Sequence, residues 1–541
     1  MVPVVPSTVL TDRLRVHRIA PSSPARSRWA PWPEPARRSL EALSRLSPEG
    51  RDAFLYGCSA LFAGITAFVV GIPLYRQWGQ MAVGFYGVAA GLMAYVAWRV
   101  ATRPRESRRG SDDTPPSGTG SAGARVSARR PAPSDRRRKA ARVIAFAIVL
   151  FGATILPLTM EVIWRSEGNA ALHVQPEVLV VEQAGVRAAH GKDPYQVVDR
   201  NGHILIHQTA EPTYELYYPY LPGMVVFGFS SGSKVEARLT DARIQFLLFT
   251  ALVALLALSR LRPPTDARAR AFQVITALPT AALPLATGGD DMPVVALMLL
   301  GLVALQRRRP VLAGLALGAA SSLKFSAWPL VILALWAAYD LRRRRAIGRY
   351  ALGVLAVVVP VVVPVALHNP SAFVDNVIRF PLGIAGVHSP AASALPGHIL
   401  ISVVPSIHRA YVVVAGLVGG LVLIRRLIKK PPRDAAEVAR LTGWVMLIAL
   451  LLAPATRVGY LLYPINLFVW AWMLRRAEDP AVPHEGKGSP AAEAWPGAGP
   501  ELDPSIPPVV GQLSSDRSNS WRENGVVPVA VVGDTTAPTS Q

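Results

Sequence analysis

The sequence predicts an all-α integral membrane protein with roughly twelve membrane helices, a short-helix hairpin among them. Three observations carry that expectation. Apolar runs of about bilayer length recur between residues 54 and 474. Hydrophobic residues make up 51% of the 541-residue chain, and mean hydropathy is +0.31, a composition of the membrane class. The formal net charge of +22 sits in arginine clusters between the apolar runs and ahead of the first one. Such a distribution is the positive-inside pattern of a polytopic protein and argues against nucleic-acid binding. Cys58 is the single cysteine, so one chain can form neither a disulfide framework nor a thiolate metal site. The first apolar run starts near Phe54, too late for a signal peptide.

The elements follow in order. Residues 1–52 are rich in Pro and Arg without sustained periodicity and are expected to form a disordered cytoplasmic tail. Two spans lie within 53–98, near 54–75 and 80–98. A basic linker, 99–141, contains Arg136-Arg137-Arg138-Lys139 and is expected to be disordered and cytoplasmic. A multi-span domain fills 142–476. Its first span, about 142–164, runs outward into a loop near 165–243. Inside that loop 221–229 is apolar but too short to cross, so it reads as a re-entrant or interfacial piece. The span 246–261 runs inward to Arg262-Pro263-Pro264, 271–287 outward to Gly288-Gly289-Asp290-Asp291, and 293–306 inward to Arg307-Arg308-Arg309. Beyond the hairpin, 348–367 leads outward to a second loop, 368–408. The span 411–424 returns to Arg425-Arg426, 441–453 leads out, and 460–474 returns to Arg475-Arg476. The tail 477–541, rich in Pro, Gly and Ser, is expected to be disordered and cytoplasmic.

The hairpin is predicted by charge. Residues 310–339 are apolar over about 30 residues, and a single helix of that length would run roughly 45 Å, beyond the roughly 30 Å hydrocarbon core. Both flanks carry arginines, Arg307 to Arg309 and Arg342 to Arg345, and both claim the cytoplasmic side. Two short helices meeting at Ser321-Ser322-Leu323-Lys324-Phe325-Ser326 resolve the conflict. Lys324 then falls within the outer half of the membrane, where a lysine costs on the order of 2.5–3.5 kcal/mol unless an anion or water receives it.

Several motifs share one order along the chain. An outward span is followed by Glu177 and Gly185, then by Gly191-Lys192-Asp193-Pro194-Tyr195 and Tyr217-Tyr218-Pro219-Tyr220-Leu221-Pro222. Later, Ala313-Gly314-Leu315-Ala316-Leu317-Gly318 leads to Lys324. In this order the chain, over about 142–475, resembles the C-type membrane glycosyltransferases, in particular the family 87 polyprenyl-phosphate-mannose-dependent mannosyltransferases. The resemblance implies transfer of a hexose, mannose by default, from a polyprenyl-phosphate donor to an extracytoplasmic lipid or glycan hydroxyl, with inversion and without a cofactor. It implies a multi-pass plasma-membrane enzyme of the cell envelope with its active site outside the cytoplasm.

A sugar hydroxyl is a poor nucleophile, so such transfer needs a general base, typically contributing about 10²–10⁴-fold. The resemblance places the base at Glu177, where the family more often has aspartate. Glu182 and Glu161 are the alternatives, and a helix-start role for Glu177 is the bland one. Lys324 is the candidate for the departing lipid phosphate, opposed by simple snorkelling. Arg379, His388 and His398 in the second loop, and Arg457 and Tyr460 between the last spans, are further candidates for the phosphate. Asp290 and Asp291 are read as hydrogen-bonding to sugar or acceptor, as a polar helix start, or, least favoured, as a metal site, since no third ligand is near. Tyr218, with Tyr214, Tyr217 and Tyr220, either stacks on sugar or anchors the interface. His173, His190, His203 and His207 show no zinc-ligand spacing. A transporter or flippase of lipid-linked sugar is the rival reading, because transporters also carry broken helices with intramembrane charge.

Overall fold

A computed structural model describes residues 46–102, 133–168, 172–195, 216–232, 236–261, 265–340, 344–385 and 391–476. Residues 1–45, 103–132 and 477–541, the bulk of the expected tails and linker, lie outside these residues, whereas 48–52, expected in the disordered N-terminal tail, are helical. Among them there is no strand, only one bridge pairing Ala392 with Thr456. Among the described residues, seven helices are long and apolar enough to cross a membrane, and three shorter apolar helices, Asp291–Gln306, Pro310–Leu323 and Phe325–Ala338, accompany them.

The first two crossing helices, α1 (Pro48–Val69) and α2 (Pro73–Ala101), each begin on a proline, whose missing N–H costs nothing in the first helical turn. They pack on each other and on the next crossing segment, which runs α3 (Pro133–Val149), a π-helical turn (Leu150–Ile155) and α4 (Leu156–Glu167). Arg136 to Lys139, expected in the linker, lie within α3. The π turn puts the Ala153 carbonyl within reach of a side chain, and the Trp78 indole N–H donates to it at 2.8 Å. At the other end of this group Glu49 and Asp52, both buried, pair with Arg138 and with Arg142 and Arg270.

Helix α5 (Pro176–Ala189) follows, and the stretch expected to be re-entrant or interfacial forms an eleven-residue 3₁₀ segment, Pro222–Gly232. The two pack almost backbone to backbone: a Cβ on Gly228 would lie 2.3 Å from the Val181 carbonyl, and one on Gly185 2.3 Å from Gly228. A short turn α6 (Ala237–Thr240) leads to α7 (Ala242–Ser259). The expected span 271–287 is divided into α8 (Thr265–Thr276) and α9 (Pro279–Thr287). Pro279 supplies the reason, since it has no N–H to continue the ladder and disfavours helical backbone at Leu278, which is extended here. The carbonyls freed at the break are capped from neighbouring helices, Ala277 by the Tyr86 hydroxyl at 2.6 Å and Thr276 by Thr154 Oγ1 at 2.8 Å.

Helices α10 (Asp291–Gln306) and α11 (Pro310–Leu323), a 3₁₀ turn at Phe325–Ala327, and α12 (Trp328–Asp340) complete the central core. The chain breaks at Lys324, whose backbone is extended (φ −153°, ψ 145°), as the apex expected there requires. Helix α11 packs on α13 (Arg344–His368), while α12 turns to α17 (Ala435–Leu452). Gly314 and Gly318 permit the first contact, because a Cβ there would lie 2.2 Å from the Tyr350 carbonyl and 2.8 Å from that of Val354. The small-residue run before Lys324 is therefore a close-packing surface of the membrane-helix type. The remaining elements are α14 (Pro370–Val374) with a π turn (Asp375–Arg379), α15 (Pro396–Val403), α16 (His408–Lys429), and α18 (Leu462–Arg476).

Candidate functional site

A cavity of about 390 Å³ lies among α5, the Lys324 break, α17 and the segment leading into α18. Its charged wall consists of Glu177, Lys324 and Arg457. Its aromatic wall includes Tyr217, Tyr220, Tyr460 and Tyr463, and α17 contributes an apolar side through Val445, Met446, Ala449 and Leu450. Glu177 and Lys324, 147 positions apart in sequence, thus face one space.

Contacts from several segments of the chain position Lys324. The Leu221 N–H donates at 3.0 Å to the Leu323 carbonyl, satisfying the end of α11, and the Tyr195 hydroxyl holds the next carbonyl, Tyr220, at 2.9 Å. Tyr195 belongs to the Gly191 to Tyr195 motif, whose Asp193 Oδ1 accepts from the Tyr195 N–H at 2.9 Å in an Asx turn. The turn at Gly288-Gly289, with Gly289 at φ +86°, delivers Asp290 and Asp291 to the start of α10, where the helix dipole favours carboxylates. Lys324 Nζ donates to Asp290 Oδ2 at 2.9 Å and to Asp291 Oδ1 at 2.5 Å. Tyr463 donates to the same Asp291 oxygen at 2.5 Å and accepts from Ser326 Oγ. The ammonium also lies 5.1 Å from the centre of the Tyr220 ring and 5.5 Å from that of Tyr460, cation–π distances. Two of the three ammonium donors are occupied by carboxylates, and the lysine side chain is 13% exposed. This is a held cation rather than one snorkelling to an interface.

Glu177 occupies the first turn of α5, and its position relative to the aspartates is set by Gln175. The Gln175 N–H donates to the Thr287 carbonyl at 3.0 Å, and its side-chain amide donates to Thr287 Oγ1 at 3.0 Å and to the Tyr75 hydroxyl at 2.7 Å. Arg243, fully buried, braces the same two segments. Its Nη1 donates to the His173 carbonyl at 2.8 Å and to the Ala286 carbonyl at 3.2 Å, while Nε and Nη2 fork onto Asp241. Glu177 Oε1 accepts a hydrogen bond from Arg457 Nη1, and Oε2 is buried with no hydrogen-bond partner among the described residues. Arg457 stands at the head of a 3₁₀ turn, Val458–Leu461, and the bridge between Ala391–Ser393 and Thr456 steadies the approach to it.

The alternative carboxylates are engaged elsewhere. Glu182 is forked by Arg165 at 2.6 and 3.0 Å and accepts from the Ala242 N–H, capping α7. Glu161 is buried against His173 Nδ1 at 2.9 Å. Neither lines the cavity. Asp290 and Asp291 combine helix start with lysine ligation, and among the described residues no cluster of three His, Cys, Asp or Glu side chains suited to a metal exists. Tyr218 is fully buried between Tyr195 and Tyr220, and its N–H donates to Asn376 Oδ1 at 2.7 Å; it does not reach the cavity. Its neighbour Tyr217 does, stacked on Phe380 with centroids 4.4 Å apart. Arg379 is 45% exposed, pairs with Asp375 and is not on the cavity wall. His398 Nδ1 donates to the Pro454 carbonyl at 2.8 Å and Nε2 lies 3.3 Å from Ser402 Oγ; the residue is not on the cavity wall. His388, His203, His207 and Tyr214 lie outside the described residues. Tyr463 and Ser326 are cavity residues that sequence reasoning missed. The one available signal was the spacing of Tyr460 and Tyr463, which puts both on one side of a helical turn.

The apolar helices of crossing length mark a multi-pass membrane protein, and its mostly apolar cavity carries one carboxylate and two cations. The model of glycosyltransferase family 87 matches residues 236–454 and supports the resemblance to membrane glycosyltransferases of that family. The matched segment holds Asp290, Asp291, Lys324 and the apolar wall, and stops short of Glu177 on one side and Arg457 on the other. No curated protein and no solved structure matches the chain.

Proposed function

We propose that the protein transfers a hexose, mannose by family resemblance, from a polyprenyl-phosphate donor to a hydroxyl of a lipid or glycan acceptor, with inversion, on the extracytoplasmic face of the plasma membrane. The proposed architecture is the C-type arrangement with roughly twelve membrane helices when the short and broken ones are counted. Glu177 is the general base. The donor phosphate sits between Lys324 and Arg457, and Asp290 and Asp291, which do not line the cavity, hold Lys324 in place. Tyr217 and Phe380 form a flat aromatic face beside the sugar, and α17 lines the path of the lipid chain. The acceptor oxygen attacks the anomeric carbon as its proton passes to Glu177. The bond from that carbon to the phosphate oxygen breaks, and its electron pair leaves with the lipid phosphate.

One observation carries the reading: a carboxylate and two cations line the same cavity, which also has an apolar wall and a volume of about 390 Å³, within the range of roughly 300–1,000 Å³ usual for ligand sites. Membranes carrying Glu177→Ala or Lys324→Ala, assayed for sugar transfer from polyprenyl-phosphate mannose, test it. Loss of about 10²–10⁴-fold is expected for Glu177→Ala. Transfer that survives both substitutions removes the site assignment, and translocation of lipid-linked sugar without transfer favours a transporter.

A further inference from the structure

Every cation on the cavity wall is already paired. Lys324 is held by two carboxylates and flanked by two tyrosine rings. Arg457 has one carboxylate partner, Glu177, and its side chain is 29% exposed against 13% for Lys324. A guanidinium carries five N–H donors in a planar fork suited to phosphate, and the Glu177 contact uses one nitrogen. An incoming phosphate therefore meets one cation that is difficult to free and one that changes partner readily. Glu177, in turn, has one oxygen committed to Arg457 and one buried oxygen with no hydrogen-bond partner among the described residues. The carboxylate oxygen that would take the hydroxyl proton, Oε1, thus already accepts a hydrogen bond from Arg457.

We infer that Arg457 is a donor-operated switch on the base, leaving Glu177 for the donor phosphate and so releasing the carboxylate to accept the hydroxyl proton. The inference rests on the general-base reading above and adds a regulation of that site. The exchange conserves charge pairing: one guanidinium–carboxylate contact is replaced by one guanidinium–phosphate contact, and no bond is made or broken in that step. In the transfer that follows, the acceptor hydroxyl oxygen bonds to the anomeric carbon, the phosphate keeps the electron pair of the cleaved bond, and the proton moves to Glu177. The device ties an active base to an occupied donor site, so the paired carboxylate of the empty enzyme is held out of reaction.

The consequence is counterintuitive and measurable. Because Glu177 competes with the phosphate for Arg457, Glu177→Gln tightens binding of polyprenyl phosphate to the full-length protein in detergent, by roughly three- to tenfold, while abolishing transfer. In an Arg457→Gln background the same substitution changes binding little. Equal tightening in both backgrounds indicates simple repulsion between carboxylate and phosphate and overturns the exchange, as does absence of tightening in the wild-type background. If Arg457→Gln does not fold, infrared difference spectra of the wild type provide the second reading. Polyprenyl phosphate shifts the carboxylate band that is missing in Glu177→Gln, and an unshifted band overturns the exchange. Retention of transfer by Glu177→Gln overturns the general-base reading itself, whatever the binding data.

Discussion

Asp291 takes hydrogen bonds from both Lys324 and Tyr463 on one oxygen, at 2.5 Å each. Its side chain is 10% exposed and that of Lys324 is 13% exposed, so removing the carboxylate strands a buried donor and weakens the hold on a buried cation. Asp291→Ala is accordingly expected to cost about 3 kcal/mol or more, read as a lowered melting temperature in detergent, and an unchanged melt counts against the cluster. Arg243 acts over a longer reach. Its guanidinium joins the His173 and Ala286 carbonyls, which lie just ahead of Glu177 and Asp290. A lysine at that position keeps the charge and loses the fork, so Arg243→Lys is expected to lower kcat on the order of 10- to 100-fold through misplacement of the two halves of the site. A fall confined to KM for the donor would contradict that role.

Between elements, the contact that sets the depth of Glu177 is the backbone approach of α5 to the Pro222–Gly232 segment. Gly228→Ala puts a Cβ 2.3 Å from the Val181 carbonyl, which only backbone movement can relieve. A destabilisation of about 1–3 kcal/mol follows, together with reduced transfer; thermal melting and the transfer assay check the two halves separately. The breaks at Leu278 and Lys324 are the other decisive element-scale features. Pro279 made the first one readable in principle, yet the continuous apolar run over 271–287 hid it behind hydropathy. The second was readable from charge, because arginines on both flanks cannot lie on opposite sides of one straight helix. The Gly191 to Tyr195 motif was legible as a turn, but its use, to hold the carbonyl of Tyr220 beside Lys324, depends on a contact across 25 residues.

Across the whole molecule, the two N-terminal helices lie outside the family-matched segment and are nevertheless built into it. Trp78 and Tyr86 satisfy carbonyls at a π turn and a helix break, and Tyr75 accepts from Gln175 beside the base. Removing residues 1–102 leaves those carbonyls unpaired in an apolar setting, so the truncated protein should melt at lower temperature and lose transfer activity. A truncation with wild-type melting would show these helices to be accessory. Asp241 supplies the acid response. Burial raises its pKa, but hydrogen bonds and charge from Arg243 and Arg165 outweigh burial and hold it below the ordinary value of 3.8. A depressed carboxylate contributes stability that is complete above its unfolded value and is lost as pH falls through the folded one. Acid melting of the wild type should therefore steepen only below about pH 4, and Asp241→Asn should remove that component while lowering stability at neutral pH.

The sequence by itself determined that the chain is helical and membrane-embedded, where most apolar runs begin and end, and that a lysine stands at a break between two short helices. These are local properties, since hydropathy, arginine clusters and proline act within a turn or two of where they stand. It also ranked Glu177 first among three candidate glutamates. The tertiary structure puts Glu177 alone of the three on the cavity wall, while Arg165 and His173 hold Glu182 and Glu161 elsewhere. The pairing of Lys324 with Asp290 and Asp291 was likewise settled by packing. A buried charge must find a counter-charge, and which one it finds depends on which helices the close-packed glycines allow to approach.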